Sequence, residues 1–164
     1  MDTRFWGPSA WQLFHLIAFR TSFPPDGVLS MIKDILPCKF CRESTAKFME
    51  ELPIKDDRGK WLYDLHNKVN HKLRTQCKNE PNVIDPGPDP SFEEVRKFYE
   101  KLKPSSVPGR DFLFSLAVNY PENPDLSQIE LQRTFLKNLS VVFPFISLRR
   151  ELQSYYEKTK DPIF

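Results

Sequence analysis

Apolar residues along this chain recur at steps of three and four, and no stretch reads convincingly as an alternating β-strand. Ser9 is placed to cap a helix AWQLFHLIAFRTS, in which Trp11, Phe14, His15, Ala18 and Phe19 fall at helical spacing. After the turn Phe23-Pro24-Pro25-Asp26, the stretch GVLSMIKDIL reads as one short helical segment. Pro37 stands where a helix would begin; CKFCRESTAKFMEEL continues from it, and Pro53 ends it. A fourth helix, near 58–75, carries Trp61, Leu62, Leu65, Val69 and Leu73 on one stripe. Two proline-rich breaks follow, at 81–90 and 104–109. Between them Ser91 caps SFEEVRKFYEKL, with Glu93 and Glu94 favourably placed in its first turn. DFLFSLAVNY, LSQIELQRTFLKNLSVV and SLRRELQSYYEK complete the pattern. The fold class it predicts is all-α, an antiparallel bundle with short connections.

Composition narrows the function. At 164 residues the chain can bury one core, or one core with an appended subdomain. The net charge of +2, with lysines and arginines interspersed among acids, lacks the clustered basic stripe that nucleic acid favours. No apolar run reaches the roughly 18 residues of a membrane span. The opening MDTRFWGPSAW has no cationic segment followed by an apolar core, so no signal peptide is expected and the expected location is cytoplasmic. Three cysteines make no disulfide scaffold of the secreted kind; one Cys-x-x-Cys pair and a singleton point to redox catalysis or metal binding.

The C-terminal part reads as a worn copy of the N-terminal part. Pro37-Cys38-Lys39-Phe40-Cys41-Arg42 aligns with Pro144-Phe145-Ile146-Ser147-Leu148-Arg149, which brings Phe48 onto Tyr155 and Glu50 onto Glu157. Upstream, Leu13-Phe14-His15 aligns with Phe112-Leu113-Phe114, and Ala18 with Ala117. The second copy keeps the packing pattern and loses both cysteines; chance similarity between two amphipathic helix pairs is the plain alternative.

Cys38-Lys39-Phe40-Cys41 is the sharpest chemical feature. A cysteine just inside a helix start meets free amide N–H groups and the positive end of the dipole, which lowers its thiol pKa. Two intervening residues keep both sulfurs within one turn, close enough to bridge and to cycle between dithiol and disulfide. A structural zinc half-site and two incidental core cysteines are the alternatives. Zinc would need Cys38 and Cys41 with His66 and His71, or with Cys77, yet histidines five apart do not share a helix face. On the fourth helix, His66, Asn67 and Asn70 are expected to form a polar patch, with Lys72 and Arg74 farther along to meet phosphates. Trp6-Gly7-Pro8-Ser9-Ala10-Trp11 and His15 form a third group, in which Trp11 and His15 are expected to present two flat rings side by side. Each of these two groups also has a plain reading as core packing or capping.

Taken together, the motifs Trp11-Gln-Leu-Phe-His15, Pro37-Cys38-Lys-Phe-Cys41 and His66-Asn67-Lys-Val69-Asn70-His-Lys72-Leu73 resemble those of the Erv/ALR family of FAD-linked sulfhydryl oxidases. The Trp6-Gly7-Pro8 opening and the small size are most similar to members encoded by large cytoplasmic DNA viruses, which would place the protein in host cytoplasm or virion. The resemblance implies a four-helix bundle holding FAD, with a short fifth helix at 91–102. It also implies a division into an oxidase domain, 1–103, and a redox-inactive half-repeat, 104–164. Trp6, Gly7, Trp11, His15, His66, Asn67, Val69, Asn70 and Lys72 become the implied FAD-binding residues, with Lys72 at the pyrophosphate. Cys38 is implied as the outer cysteine that a substrate thiolate attacks, and Cys41 as the one that passes two electrons to the flavin. Dioxygen would be the acceptor and hydrogen peroxide the product. Substrates would be thiol-bearing proteins, among them thioredoxin-like ones. No metal, nucleic acid or membrane span is expected. The competing reading is a zinc-stabilised helical interaction module.

This sequence departs from the family pattern in three places. Tyr63 stands where relatives carry one half of a structural disulfide, which leaves Cys77 unpaired. There is no second, shuttling cysteine pair, so substrates must reach Cys38 directly. Leu36 precedes Pro-Cys where an aromatic residue is common. Arg110 replaces the flavin-packing tryptophan in the worn copy. Because members of the family commonly pair through their first helices, the resemblance implies a homodimer or an intrachain pseudo-dimer built with that copy.

Overall fold

The computed structural model describes residues 2–144 and Arg150. Every regular element among them is a helix: α1 (Thr3–Arg20), α2 (Asp26–Leu29), α3 (Ile32–Ile35), α4 (Lys39–Glu51), α5 (Arg58–Gln76), α6 (Phe92–Lys101), α7 (Arg110–Val118) and α8 (Leu126–Val142). The all-α expectation holds. The predicted helix at 147–158 and the alignment partners Phe145, Leu148, Tyr155 and Glu157 lie outside the described residues.

Side-chain caps set most of the helix starts. Asp57 accepts from the backbone of Lys60 to open α5, and reciprocal capping boxes, Ser91 with Glu94 and Asp125 with Gln128, open α6 and α8. Three sequence expectations need correction. Asp2, not Ser9, caps α1, so Gly7 and Pro8 lie within the helix. Pro8, the sixth residue of α1, lacks the N–H that would meet the Arg4 carbonyl, so the helix forgoes one intrahelical bond there. Ser9 Oγ instead accepts the backbone N–H of Phe112 at 3.2 Å, tying α7 to α1. The stretch 27–36 forms two single turns, α2 and α3, hinged at Ser30 and Met31. Finally, α4 opens at Lys39, which leaves Cys38 outside the helix as its N-cap.

α1 is the hub: it packs against α5, α6 and α7. α4 lies against α3 and α5, and α8 crosses α2 and α3. One continuous buried cluster joins Leu13, Phe14 and Ile17 of α1 to Trp61, Leu62 and Leu65 of α5. The same cluster contains Phe112 of α7 with Phe135 and Leu139 of α8, so it runs unbroken across position 103/104. The indole N–H of buried Trp61 donates to the Leu52 carbonyl at 2.8 Å, which satisfies a polar group that burial would otherwise penalise. No helix among the described residues is long and apolar enough to cross a membrane.

Gly109 marks where α7 must turn tightly onto α1. Its φ is 77°, and a Cβ there would stand 2.6 Å from Cδ2 of the fully buried Leu13. Left-handed backbone strain and overpacking act together at this position. Gly109→Ala is expected to lower unfolding free energy by about 3 kcal/mol in urea titrations. A loss under about 0.5 kcal/mol, the size of an ordinary surface change, would contradict the packing described.

Candidate functional site

Three helices deliver the candidate residues. Cys38 holds the N-cap of α4, its Sγ 3.3 Å from the backbone N of Cys41, and Cys41 lies in the first helical turn. Both thiols are free and half-buried, and they interact with one another. The sulfur that caps the helix is therefore Cys38, one position earlier than the spacing predicts. Cys41 does not have a lowered pKa: burial, then the hydrogen bond to Cys38, push its thiol up to about 12, while the nearby Lys72 cation pulls it down. For this cysteine desolvation outweighs the helix dipole. Flanking residues Lys39 and Phe40 are exposed, so the pair sits at the surface edge of the bundle.

α1 and α5 contribute a cluster of rings. Trp11 stacks on His66 with centroids 3.9 Å apart and planes 13° apart. Trp11 and His15, expected side by side, lie 5.8 Å apart with their planes tilted by 57°. A step of four along α1 aligns their positions without making their planes parallel. His15 is buried, and its Nδ1–H donates to the Trp11 carbonyl at 2.7 Å. Its ring lies 5.3 Å from His66 and stacks on Tyr99 of α6 at 4.6 Å. Both imidazoles are held neutral. Burial pushes His15 down to about 4, and burial followed by the neighbouring His15 pushes His66 down to about 3.

The remaining predicted residues scatter more widely. Asn70 donates to Asp89 at 3.2 Å, and Arg74 clasps the same carboxylate from one turn farther on. These bonds, with Tyr63 donating to the Pro90 carbonyl at 2.6 Å, fasten segment 81–90 along α5. Asn67 turns away from this group and lines an open cavity of about 420 Å³ with Phe48, Glu51, Asp64, Lys68 and His71. The single polar patch expected from His66, Asn67 and Asn70 is thus divided, because consecutive residues on a helix diverge by about 100°. Trp6 is buried in the core beside Phe112, at 6.2 Å between rings, and its indole N–H has no hydrogen-bond partner among the described residues. Space is open beside Gly7, and Val69 is half-buried. Lys72 donates to Ser44 Oγ of α4 at 2.6 Å. A second open cavity, about 500 Å³, is lined by Phe19, Phe23, Arg58, Phe92 and Arg96 among others, and neither Cys38 nor Cys41 lines either cavity.

Three participants were missed by the sequence reading. Tyr99 was legible in the helical spacing of Phe92, Val95 and Tyr99, which puts it on the inward face of α6. Ser44 follows Cys41 by three and so shares its face. Asp89, inside a proline-rich break, offered no periodic signal. Among the described residues, no group of three or more histidine, cysteine or acidic side chains is placed to hold a metal ion, so the zinc reading finds no ligand set there.

Residues 8–85 match the Erv1 / Alr family. The Erv1 / Alr match contains Cys38 and Cys41, the Trp11–His15 step and the whole His66–Leu73 stretch; α6, α7 and α8 lie beyond it. The mitochondrial FAD-linked sulfhydryl oxidase ERV1 of Saccharomyces cerevisiae is 30% identical, over 42% of this chain and 42% of its own length. The chain thus spans under half of that relative. No solved structure matches the chain.

The neutral histidines give the fold a pH dependence. An unfolded imidazole takes up its proton near 6.5, whereas His15 and His66 resist it in the folded chain. Their contribution is fully present above that value and is lost as pH falls towards 4. Stability should fall by up to about 1.4 kcal/mol per pH unit for each imidazole across this window. Urea titrations at stepped pH check this; a flat stability between about pH 7 and pH 5 would contradict it.

Proposed function

We propose that this chain is an FAD-dependent thiol oxidase that forms disulfides in protein substrates through Cys38 and Cys41. The observation that carries this reading is a mutually interacting cysteine pair at the start of α4, within the same 8–85 segment as the neutral ring cluster of α1 and α5. The sulfhydryl oxidase activity in the yeast relative's name supports it.

The donor set suits a flavin dinucleotide. Trp11, His15 and His66 offer flat, uncharged rings for its ring systems, and Asn70 an amide for ribose oxygens. The open side of Gly7 leaves room for a ligand to approach the α1 backbone. The chemistry that FAD supplies when bound is acceptance of two electrons from a dithiol and their delivery to dioxygen as hydrogen peroxide.

The protein's own residues perform the exchange. A substrate thiolate attacks Cys38 Sγ of the oxidised pair, forming a mixed disulfide and releasing Cys41 as the leaving sulfur. A second substrate thiol attacks the substrate sulfur, frees Cys38, and departs in a disulfide, so two electrons and two protons remain with the Cys38–Cys41 dithiol. Cys38 takes the outer role because it precedes the helix as its cap, and Cys41 the inner role because it lies within the first turn of α4. With no second Cys-x-x-Cys in the sequence, substrates act on Cys38 directly. Cys77, whose thiol donates to the Arg74 carbonyl at 3.2 Å in the last turn of α5, has no part in the exchange.

We further propose that α7 and α8 occupy, within one chain, the surface through which a second subunit would pair. α7 covers α1, α8 covers α2 and α3, and the buried cluster is shared. Sedimentation of the full chain should then give the monomer mass of 19.3 kDa. A stable dimer joined through α1 would overturn this arrangement.

For the oxidase itself, purified protein should be yellow and should bleach on adding dithiothreitol without air. Cys38→Ser and Cys41→Ser should each reduce thiol-driven oxygen consumption to background while the colour stays; Cys77→Ser should keep nearly full activity. A colourless protein that takes up no FAD would defeat the reading.

A further inference from the structure

We infer that Lys72 is the counter-ion of the Cys41 thiolate, and that Ser44 is the positioning residue that aims it. This deepens the proposed function and rests on Cys38 and Cys41 being the redox pair. The resemblance places Lys72 at a phosphate; in this structure its ammonium crosses instead from α5 to α4.

The Ser44 hydroxyl fixes the direction. Its proton is committed to the Phe40 carbonyl one turn back, at 2.9 Å, so the oxygen presents lone pairs outward. Lys72 Nζ occupies that acceptor position at 2.6 Å. Ser44 lies three residues after Cys41, on the same helical face, so the bond holds the ammonium alongside the Cys41 end of α4. The geometry has a separate electrostatic signature: among the charged groups of α5, Lys72 acts on the Cys41 thiol and favours its ionised form.

Other charges are engaged elsewhere. On α5, Lys68 pairs with Glu51 at 2.8 Å and Arg74 with Asp89 at 2.9 Å. On α3, which also packs against α4, Lys33 and Asp34 are paired with each other at the surface. On α4 itself, Arg42 donates to the Leu36 carbonyl at 2.6 Å, Lys39 faces Glu43, and Cys38 shares a hydrogen bond with Cys41. Lys72 is therefore the cation aimed at this thiol.

The role matters because Cys41 must carry negative charge twice: when it leaves the mixed disulfide, and when the dithiol is re-oxidised. Burial opposes both events. A fixed ammonium offsets part of that opposition without a proton having to arrive.

The test isolates Cys41 as the remaining thiol in full-length Cys38→Ser/Cys77→Ser protein and measures its alkylation by iodoacetamide, an uncharged reagent, at one fixed mildly alkaline pH. Lys72→Met should slow alkylation about tenfold, the fall in thiolate fraction for a pKa rise of one unit. Ser44→Ala should slow it less, and Lys72→Arg should restore most of the rate. A merely structural role would act in the opposite direction, since loosened packing exposes the thiol and speeds alkylation. An unchanged or faster rate in folded Lys72→Met protein would overturn the inference. Should that variant fail to fold, raising the ionic strength decides the matter in the parent: slower alkylation supports the counter-ion, and an unchanged rate sinks it. Failure of the underlying oxidase reading looks different, because the parent protein would then take up no FAD and consume no oxygen with thiols, whatever Lys72 does to the alkylation rate.

Discussion

The close approach of α1 to α5 is the constraint from which the rest of the site follows. Gly59 makes it possible: a Cβ there would stand 2.5 Å from Cε1 of Phe19, so the Phe19 ring lies directly against the α5 backbone. With Phe19 fixed beside residue 59 and Trp11 stacked on His66, the two helices run antiparallel in one register. That register decides which rings meet. It places His15 between His66 and Tyr99 and removes both imidazoles from water. Their neutrality is a consequence of helix packing, since neither has a carboxylate close enough to hold it charged against the cost of burial.

α4 is attached to this frame by bonds of a different kind. Trp61 reaches the Leu52 carbonyl just past its end, Lys68 reaches Glu51, and Lys72 reaches Ser44 near its start. These three contacts are spread along the whole antiparallel pair, so α4 cannot easily slide or tilt relative to α5. The Trp61 and Lys72 bonds are part-buried, while the Lys68–Glu51 pair is exposed and contributes mainly direction. The result is a cysteine pair on the cap of a helix whose position is set by the same α5 that carries His66.

Much of the fold was legible because hydrophobic periodicity reports which face of a helix is buried, and tertiary packing here agrees with it. The all-α class, the extent of α5 and the Ser91 cap of α6 all followed from that pattern. The misreadings share a physical cause. Ser9 has the chemistry of an N-cap, yet Asp2 captures the backbone of Arg4 earlier, and the Ser9 hydroxyl is then free to bind α7, 103 residues away. Such a competition is settled by long-range contacts that no local pattern contains. The candidate site was legible in its residue types and less so in its geometry. Spacing alone brought His66, Asn67 and Asn70 together, whereas Asp89 claims Asn70 and the helix turns Asn67 towards α4. The placement of α7 against α1 and of α8 against α2 and α3 was visible only in the packing.

The two cysteines then differ in a way their symmetrical motif conceals. Cys38 lies before the helix, where its sulfur accepts from the backbone N–H of Cys41. Cys41 enters the helix, where the helix dipole cannot offset desolvation. A pair built this way is asymmetric before any partner binds. Cys38 Sγ is held by a backbone amide of its own helix, whereas the Cys41 thiol feels a side-chain cation from another helix. Loosening the α4–α5 contact would accordingly disturb the surroundings of Cys41 before those of Cys38.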